Sequence, residues 1–257
     1  MRKYLLRSLK DGIKRLSIYQ GYVHGIMLKW VAAVTVLLAL IHTWIVFASI
    51  PMIMQPFNFL QWVTAFTGMI YAFLIISALY SLASDLSQGG AQLFLSQPIS
   101  RVTYVLAWIL ASLGTPTLIF VLSIVLPIVV IDPSLLYLLS SSGLHLLILE
   151  TLELSCFIFL VACVSKNRGA TLLVGLLLFF ILPFMIPLLL MMIYSPIGAQ
   201  PMRDYLFEVY AVFYPFRYAL ISFGRNINSA SYVGTTMLML TTFALILFYS
   251  KRRLEVT

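Results

Sequence analysis

Charge is what this chain has least of. Only 9% of its 257 residues are Asp, Glu, Lys or Arg, where a soluble domain carries about 25%. That scarcity excludes a sizeable water-soluble fold. Cysteine is nearly absent too: Cys156 and Cys163 are the only two. They stand seven apart in one apolar run, about 10 Å along a helix, beyond the usual Cα separation of a disulfide. They read as small buried side chains and do not report a redox compartment. No G-x-x-x-x-G-K-[ST] phosphate loop occurs, which excludes a nucleotide-hydrolysing domain of that kind. No H-E-x-x-H pattern occurs either, so nothing in the spacing points to a metal site. The first thirty residues are basic and only moderately apolar, which argues against a cleavable signal peptide.

What the chain has is apolar surface. Hydrophobic residues make up 62% of it, and they fall in runs of the roughly 20 residues that cross a bilayer core as a helix. The pattern predicts an all-α integral membrane protein with six transmembrane helices. The spans run over about 30–53, 61–82, 102–131, 135–164, 170–194 and 233–249. Pro51 and Pro56 close the first, the Asp132-Pro133 turn closes the third, and Ser165-Lys166-Asn167-Arg168-Gly169 closes the fourth. Pro116, Pro127, Pro183 and Pro187 fall inside spans three and five and predict kinks. Residues 1–29 are too charged to span. Leu5, Leu9, Ile13 and Leu16 recur at helical spacing among Arg2, Lys3, Arg7, Lys10, Lys14 and Arg15. That suits an amphipathic helix on the cytoplasmic surface; a plain basic juxtamembrane tail is the alternative.

The net charge of +8 would suggest nucleic acid in a soluble protein. Here it reflects the bias of Lys and Arg toward cytoplasmic loops and anionic lipid, and no nucleic-acid partner is expected. Counted by side, 13 of the 16 Lys and Arg lie with the termini. Arg203, Arg217 and Arg225 lie on the other side. Both termini are therefore expected in the cytoplasm of a multi-pass protein of the cell membrane.

The polar loop from Ala83 to Arg101 is the most informative stretch. Gly89-Gly90 breaks the helix leaving span two, Pro98 stops the next piece, and Arg101 restarts a helix at the surface. Between them Leu93, Phe94 and Leu95 sit among polar neighbours. A short helix held crosswise there can receive a push from a cytoplasmic partner. It can equally be an ordinary amphipathic connector.

The stretch D-L-S-Q-G-G-A-Q-L-F-L-S-Q-P-I-S-R resembles the cytoplasmic signature of ABC-2 type transporter permeases. Asp85 stands at the leading acid of that pattern, Gly89 at its glycine and Gln92 at its second acid. Leu93, Phe94 and Leu95 stand at the leucine-rich triplet, and Pro98, Ser100 and Arg101 at the Pro-x-Ser-Arg end. Two positions depart: Gln92 replaces an acid and Gly90 replaces a hydroxyl residue. By span order and basic loops the similarity extends over the whole chain. The resemblance implies two permeases, identical or homologous, with two separate ABC ATPase subunits docked on the Asp85–Arg101 loop. ATP and Mg would be bound by the ATPase and no cofactor by this chain. The letters L-S-Q-G-G resemble the LSGGQ signature of the ATPases themselves, a reading excluded by the missing phosphate loop.

Span four carries His145, Glu150 and Glu153. The two acids lie one turn apart on one face. No Lys or Arg falls inside any predicted span to pair with them, and an ionised carboxylate in hydrocarbon is costly. They read either as a polar lining of a translocation path or as neutral acids bonded to neighbouring helices. His145 and Glu150, five apart, fall on nearly opposite faces, which speaks against a shared metal. His42 in span one reads as a hydrogen-bonded helix histidine. The aromatic segment 195–232, with a helical stretch through Leu206, Val209, Tyr210 and Phe213, reads as an outer gate or an interfacial anchor.

Three functions remain open at this point. The resemblance implies a non-enzymatic permease subunit that exports an apolar or amphipathic substrate by alternating access. The alternatives are an intramembrane enzyme using Glu150, Glu153 and His145, and a structural subunit of a larger membrane complex.

Overall fold

A backbone in hydrocarbon must satisfy its own hydrogen bonds, so apolar runs of this length become helices. The computed structural model describes residues 23, 36–37, 39–41, 43–44, 68–88, 91, 100–131, 133–137, 144–182, 185 and 229–253. Among the described residues every regular element is helical. Helix α1 is Met69–Ser87. Helix α2 runs through Arg101–Ile109, a wider π turn at Leu110–Gly114, and Thr115–Ile131. Helix α3 is Leu144–Ser165. Helix α4 is Arg168–Leu176 with a π turn at Leu177–Ile181. Helix α5 is Ser229–Arg253. Four of them, α1, α2, α3 and α5, are long and apolar enough to cross a bilayer, while α4 is a shorter apolar helix over Arg168–Ile181. The protein is a membrane-embedded helical bundle.

Local chemistry sets the helix ends. Ser100 caps α2: its Oγ accepts from the Thr103 N–H at 3.1 Å. Asn167 caps α4 in the same way, its Oδ1 accepting from the N–H groups of Gly169 and Ala170 at 2.8 and 3.2 Å. The turn between α3 and α4 is so short because Lys166 takes up a left-handed conformation, φ 50°. In α2 the π turn falls just before Pro116, whose ring and missing N–H cannot fit a regular turn. Pro127 sits inside the following helical stretch.

Helix α1 is the centre of the bundle and packs against α2, α3 and α4, while α5 lies on α3 and the start of α2. Leu74, Ile75, Leu79, Leu82, Val105 and Phe159 are fully buried between these helices. Gly175 lets α4 approach α1 closely: a Cβ there would meet Ile76 Cγ1 at 3.0 Å, the close backbone approach that small residues permit in membranes. Tyr71 of α1 stacks on Phe120 of α2, ring centroids 4.2 Å apart. Thr117 gives its hydroxyl proton to the Leu113 carbonyl at 2.6 Å. The Tyr71 hydroxyl is therefore the donor in its 2.7 Å bond to Thr117.

These contacts fix which ends lie together. The C-terminal end of α1 meets the start of α2 through Asp85 and Tyr104, and meets the start of α4 through Ser87 and Arg168. The starts of α3 and α5 meet through His145 and Tyr232, so these two helices run parallel. Arg101, Lys166, Arg168, Lys251 and Arg252 therefore share one end of the bundle.

The helices differ from their expected bounds in three places. Helix α1 continues five residues past Leu82, so Ala83–Ser87, expected in the polar loop, are helical. The core drives this, since Ala83 and Leu86 pack into it as tightly as Leu79 does. Helix α3, in the region of the expected fourth span, starts at Leu144 rather than near 135, and Pro133–Leu136 form a separate 3-10 turn that Pro133 opens. Helix α5 starts at Ser229, before the 233 expected for the sixth span. Most of the first expected span, the N-terminal surface helix and the segment 195–228 lie outside the described residues.

Candidate functional site

Two polar clusters interrupt the apolar interior, one at each end of the bundle. The first is built on Asp85. Its place on the inner face of α1 leaves it 6% exposed, among Leu82, Leu86 and Tyr104. A carboxylate removed from water needs a hydrogen-bond donor. Tyr104, on the second turn of α2, supplies it: its hydroxyl donates to Asp85 Oδ2. Trp108 stands one turn further along the same face of α2. Its indole is fully buried and lies beside the Asp85–Tyr104 pair. Its Nε1–H makes no hydrogen bond of regular geometry but lies within reach of the Asp85 and Tyr104 side chains.

This arrangement closes the loop at its base. Asp85 is two residues from the end of α1, and Tyr104 is three residues into α2. Their bond ties the two helices where the loop leaves and re-enters. Outside the pair, Ser87 accepts a long 3.4 Å bond from Arg168 Nε of α4. The Ser84 hydroxyl donates to the Gln88 side chain at 3.2 Å. These contacts join α1, α2 and α4 at one end of the bundle.

The second cluster joins α3 to α5. His145 Nε2 and the Tyr232 hydroxyl are hydrogen-bonded, and the two rings stack, centroids 5.3 Å apart at 9°. Glu150 is 4% exposed and within electrostatic reach of Tyr232. Glu153 is also buried and stands near Cys156. Thr151, Ser155 and, from α5, Thr235 extend the buried polar column. Both cysteines are buried free thiols. Among the described residues no three His, Cys, Asp or Glu side chains converge as metal ligands would.

Of the residues singled out in the sequence, the structure places Asp85 in a buried helix rather than in the loop. Ser100 is the α2 cap, and Arg101 is exposed at its first residue. Gly89, Gln92, Leu93, Phe94, Leu95, Pro98 and His42 lie outside the described residues. His145 and Glu150, on different faces of α3, are brought to one cluster by Tyr232 of another helix. Glu150 and Glu153 are both turned into the bundle.

Sequence reasoning missed Tyr104, Trp108 and Tyr232. The first two carry a signal that can be read: two aromatics with polar tips, four apart, opening a span directly after a loop with an acid at its other end. Tyr232 carries none, because aromatics crowd the segment before it. No family model matches the sequence, and no curated protein matches it.

Proposed function

We propose that the chain is the membrane subunit of an ABC-2 type exporter. It has six spans, with both termini in the cytoplasm of a cell-membrane protein. It works as a pair with a second copy or a similar chain, and a separate ABC ATPase binds ATP and Mg. The end of the bundle that gathers Arg101, Lys166, Arg168, Lys251 and Arg252 is the cytoplasmic one, by the preference of Lys and Arg for that side. The substrate is apolar or amphipathic, in keeping with a bundle that offers few charges along its length.

One observation carries this reading. The loop that resembles the permease signature is tied across its base by Asp85 and Tyr104. A floppy connector would absorb a push. A loop clamped at both ends passes it to α1 and α2, which hold the core. Closure of an ATPase pair beneath the loop would tilt these helices and open a path between the two permeases to the outside. Such alternating access is rigid-body movement around a fixed core. The polar column of α3 and α5, with His145, Glu150 and Glu153, would line part of that path.

The test is to co-express the chain with an ABC ATPase from the same genome and reconstitute the complex in vesicles. Transport-linked ATP hydrolysis is expected, with a fall of tenfold or more in Gly89→Pro and Arg101→Glu. A chain that purifies without an ATPase, and loop variants that leave transport intact, would overturn the proposal.

A further inference from the structure

Helices α2 and α4 break their regularity at the same height. Both start at the basic end of the bundle, α2 at Arg101 and α4 at Arg168. In both, the π turn begins nine residues after the start, at Leu110 and at Leu177. Nine residues rise about 14 Å. Each turn is closed by an N–H that reaches five residues back, from Thr115 to the Leu110 carbonyl and from Leu182 to the Leu177 carbonyl. In the sequence a proline stands two residues past each turn, Pro116 and Pro183, and neither has an N–H to continue a regular ladder. Helix α1 packs against both π turns. Its own ladder is loaded near the same height, ten residues before its end at Ser87. There the Ser77 hydroxyl donates to the Leu74 carbonyl at 2.9 Å, and the Ser81 hydroxyl to the Ser77 carbonyl at 3.0 Å. Back-bonds of this kind bend helices. Side-chain ties stand on either side of this level. Toward the basic end, Tyr104 donates to Asp85 and Arg168 to Ser87. Toward the other end, Tyr71 stacks on Phe120 and donates to Thr117.

We propose that this level is a common hinge. On its basic side the ends of α1, α2 and α4 form one block, which swings as a unit against the outer part of the bundle. Sharp helix bends arise at proline and at π turns, and π turns recur at functional sites. A bend in one helix alone would be opposed by neighbours that stay straight. Bends at one height in three helices that touch let the ties on both sides persist while the angle between the two parts changes. The hinge rests on the residues of this chain alone. Its use in alternating access rests on the exporter reading.

The experiment follows both parts by fluorine NMR of the full chain in lipid nanodiscs, without ATPase or nucleotide. The buried Cys156 and Cys163 are replaced by Ala. A trifluoromethyl label is then placed singly through Arg101→Cys, Leu172→Cys or Val130→Cys, all exposed positions. The first two report on the α2 and α4 arms of the block, and the third on the outer end of α2. Exchange on the microsecond-to-millisecond scale is expected at Arg101→Cys and Leu172→Cys with one shared rate, and none at Val130→Cys. Deleting the exposed Gly114 together with Pro116→Ala gives α2 a regular turn, because a π turn holds one residue too many. The change lies in α2 only, yet exchange is expected to be lost at Leu172→Cys in α4 as well.

Different rates at the two inner labels, a flat profile at either, or exchange at Val130→Cys overturns the hinge. Exchange at Leu172→Cys that survives the straightening of α2 overturns it too. Should the straightened chain not fold, the three labels in the otherwise native α2 decide: one shared inner rate with a flat outer label supports the hinge, and any other pattern overturns it. Because no ATPase is present, failure here leaves the exporter proposal standing. A missing ATPase partner likewise leaves the hinge standing.

Discussion

The helices Met69–Ser87 and Tyr232–Arg252 share a mean hydropathy of 1.7, yet 67% of the first is buried inside the bundle and only 17% of the second. Hydropathy measures the solvent a helix prefers, and lipid and protein interior are nearly the same solvent. What separates the two is the grain of the sequence. Helix α1 carries Ala72, Ala78 and Ala83 between its large residues, so neighbours approach from several sides, and Gly175 of α4 fits against its Ile76. Helix α5 leaves Val233, Met237, Leu240, Leu245 and Phe248 exposed, and among the described residues it packs on α3 and the start of α2. Its contacts with the core run through Met239, Ile246 and Tyr249, beside the buried Thr235 and Ser250.

That difference predicts unequal responses to the same change. Leu79→Ala in α1 removes a side chain with no exposure and is expected to destabilise by about 2–5 kcal/mol. Leu240→Ala in α5, 57% exposed, is expected to stay within about 0.5 kcal/mol. Reversible unfolding in bicelles measures both, and equal losses would break the comparison. Gly175→Val should cost about 1–3 kcal/mol by forcing α4 off α1. Much of that loss should return when Ile76→Ala is added, because the clash is with that side chain. A double change that is merely additive would show that α1 and α4 do not pack as described.

The smallest expected effect separates stacking from hydrogen bonding at the α1–α2 contact. Tyr71→Phe keeps the ring on Phe120 and loses the bond to Thr117. About 1 kcal/mol is expected, the ordinary net worth of one such bond. Thr117→Val should then add little to it. A loss the size of Leu79→Ala would mean that α1 is held by polar contacts more than by packing.

Much of the bundle was legible in the sequence, and the failures have a common cause. Helix starts that carry their own cap lie within two residues of expectation: α2 starts at Arg101 against an expected 102, and α4 at Arg168 against 170. Ends that depend on a neighbour do not. Nothing local says that Ala83–Ser87 stay helical, because the reason lies in the helices that cover Ala83 and Leu86. The candidate sites divide in the same way. Asp85 was singled out as a polar residue in a loop, and its burial reverses its surroundings without removing its interest. His145 and Glu150 fall on different faces of one helix, and only Tyr232, eighty-seven residues beyond His145, joins them.

The sequence by itself determined that this chain lives in a bilayer, because an 18-residue apolar run has one stable conformation there, whatever surrounds it. It also marked Arg101, Lys166, Arg168, Lys251 and Arg252 as lying outside the apolar runs, at helix ends. The tertiary structure decided which helix faces protein and which faces lipid, since both environments accept the same residues and only fit distinguishes them. It also decided what each buried carboxylate touches. A hydrogen bond in the interior needs a donor within about 3 Å, and for Asp85 that donor, Tyr104, comes from a different helix.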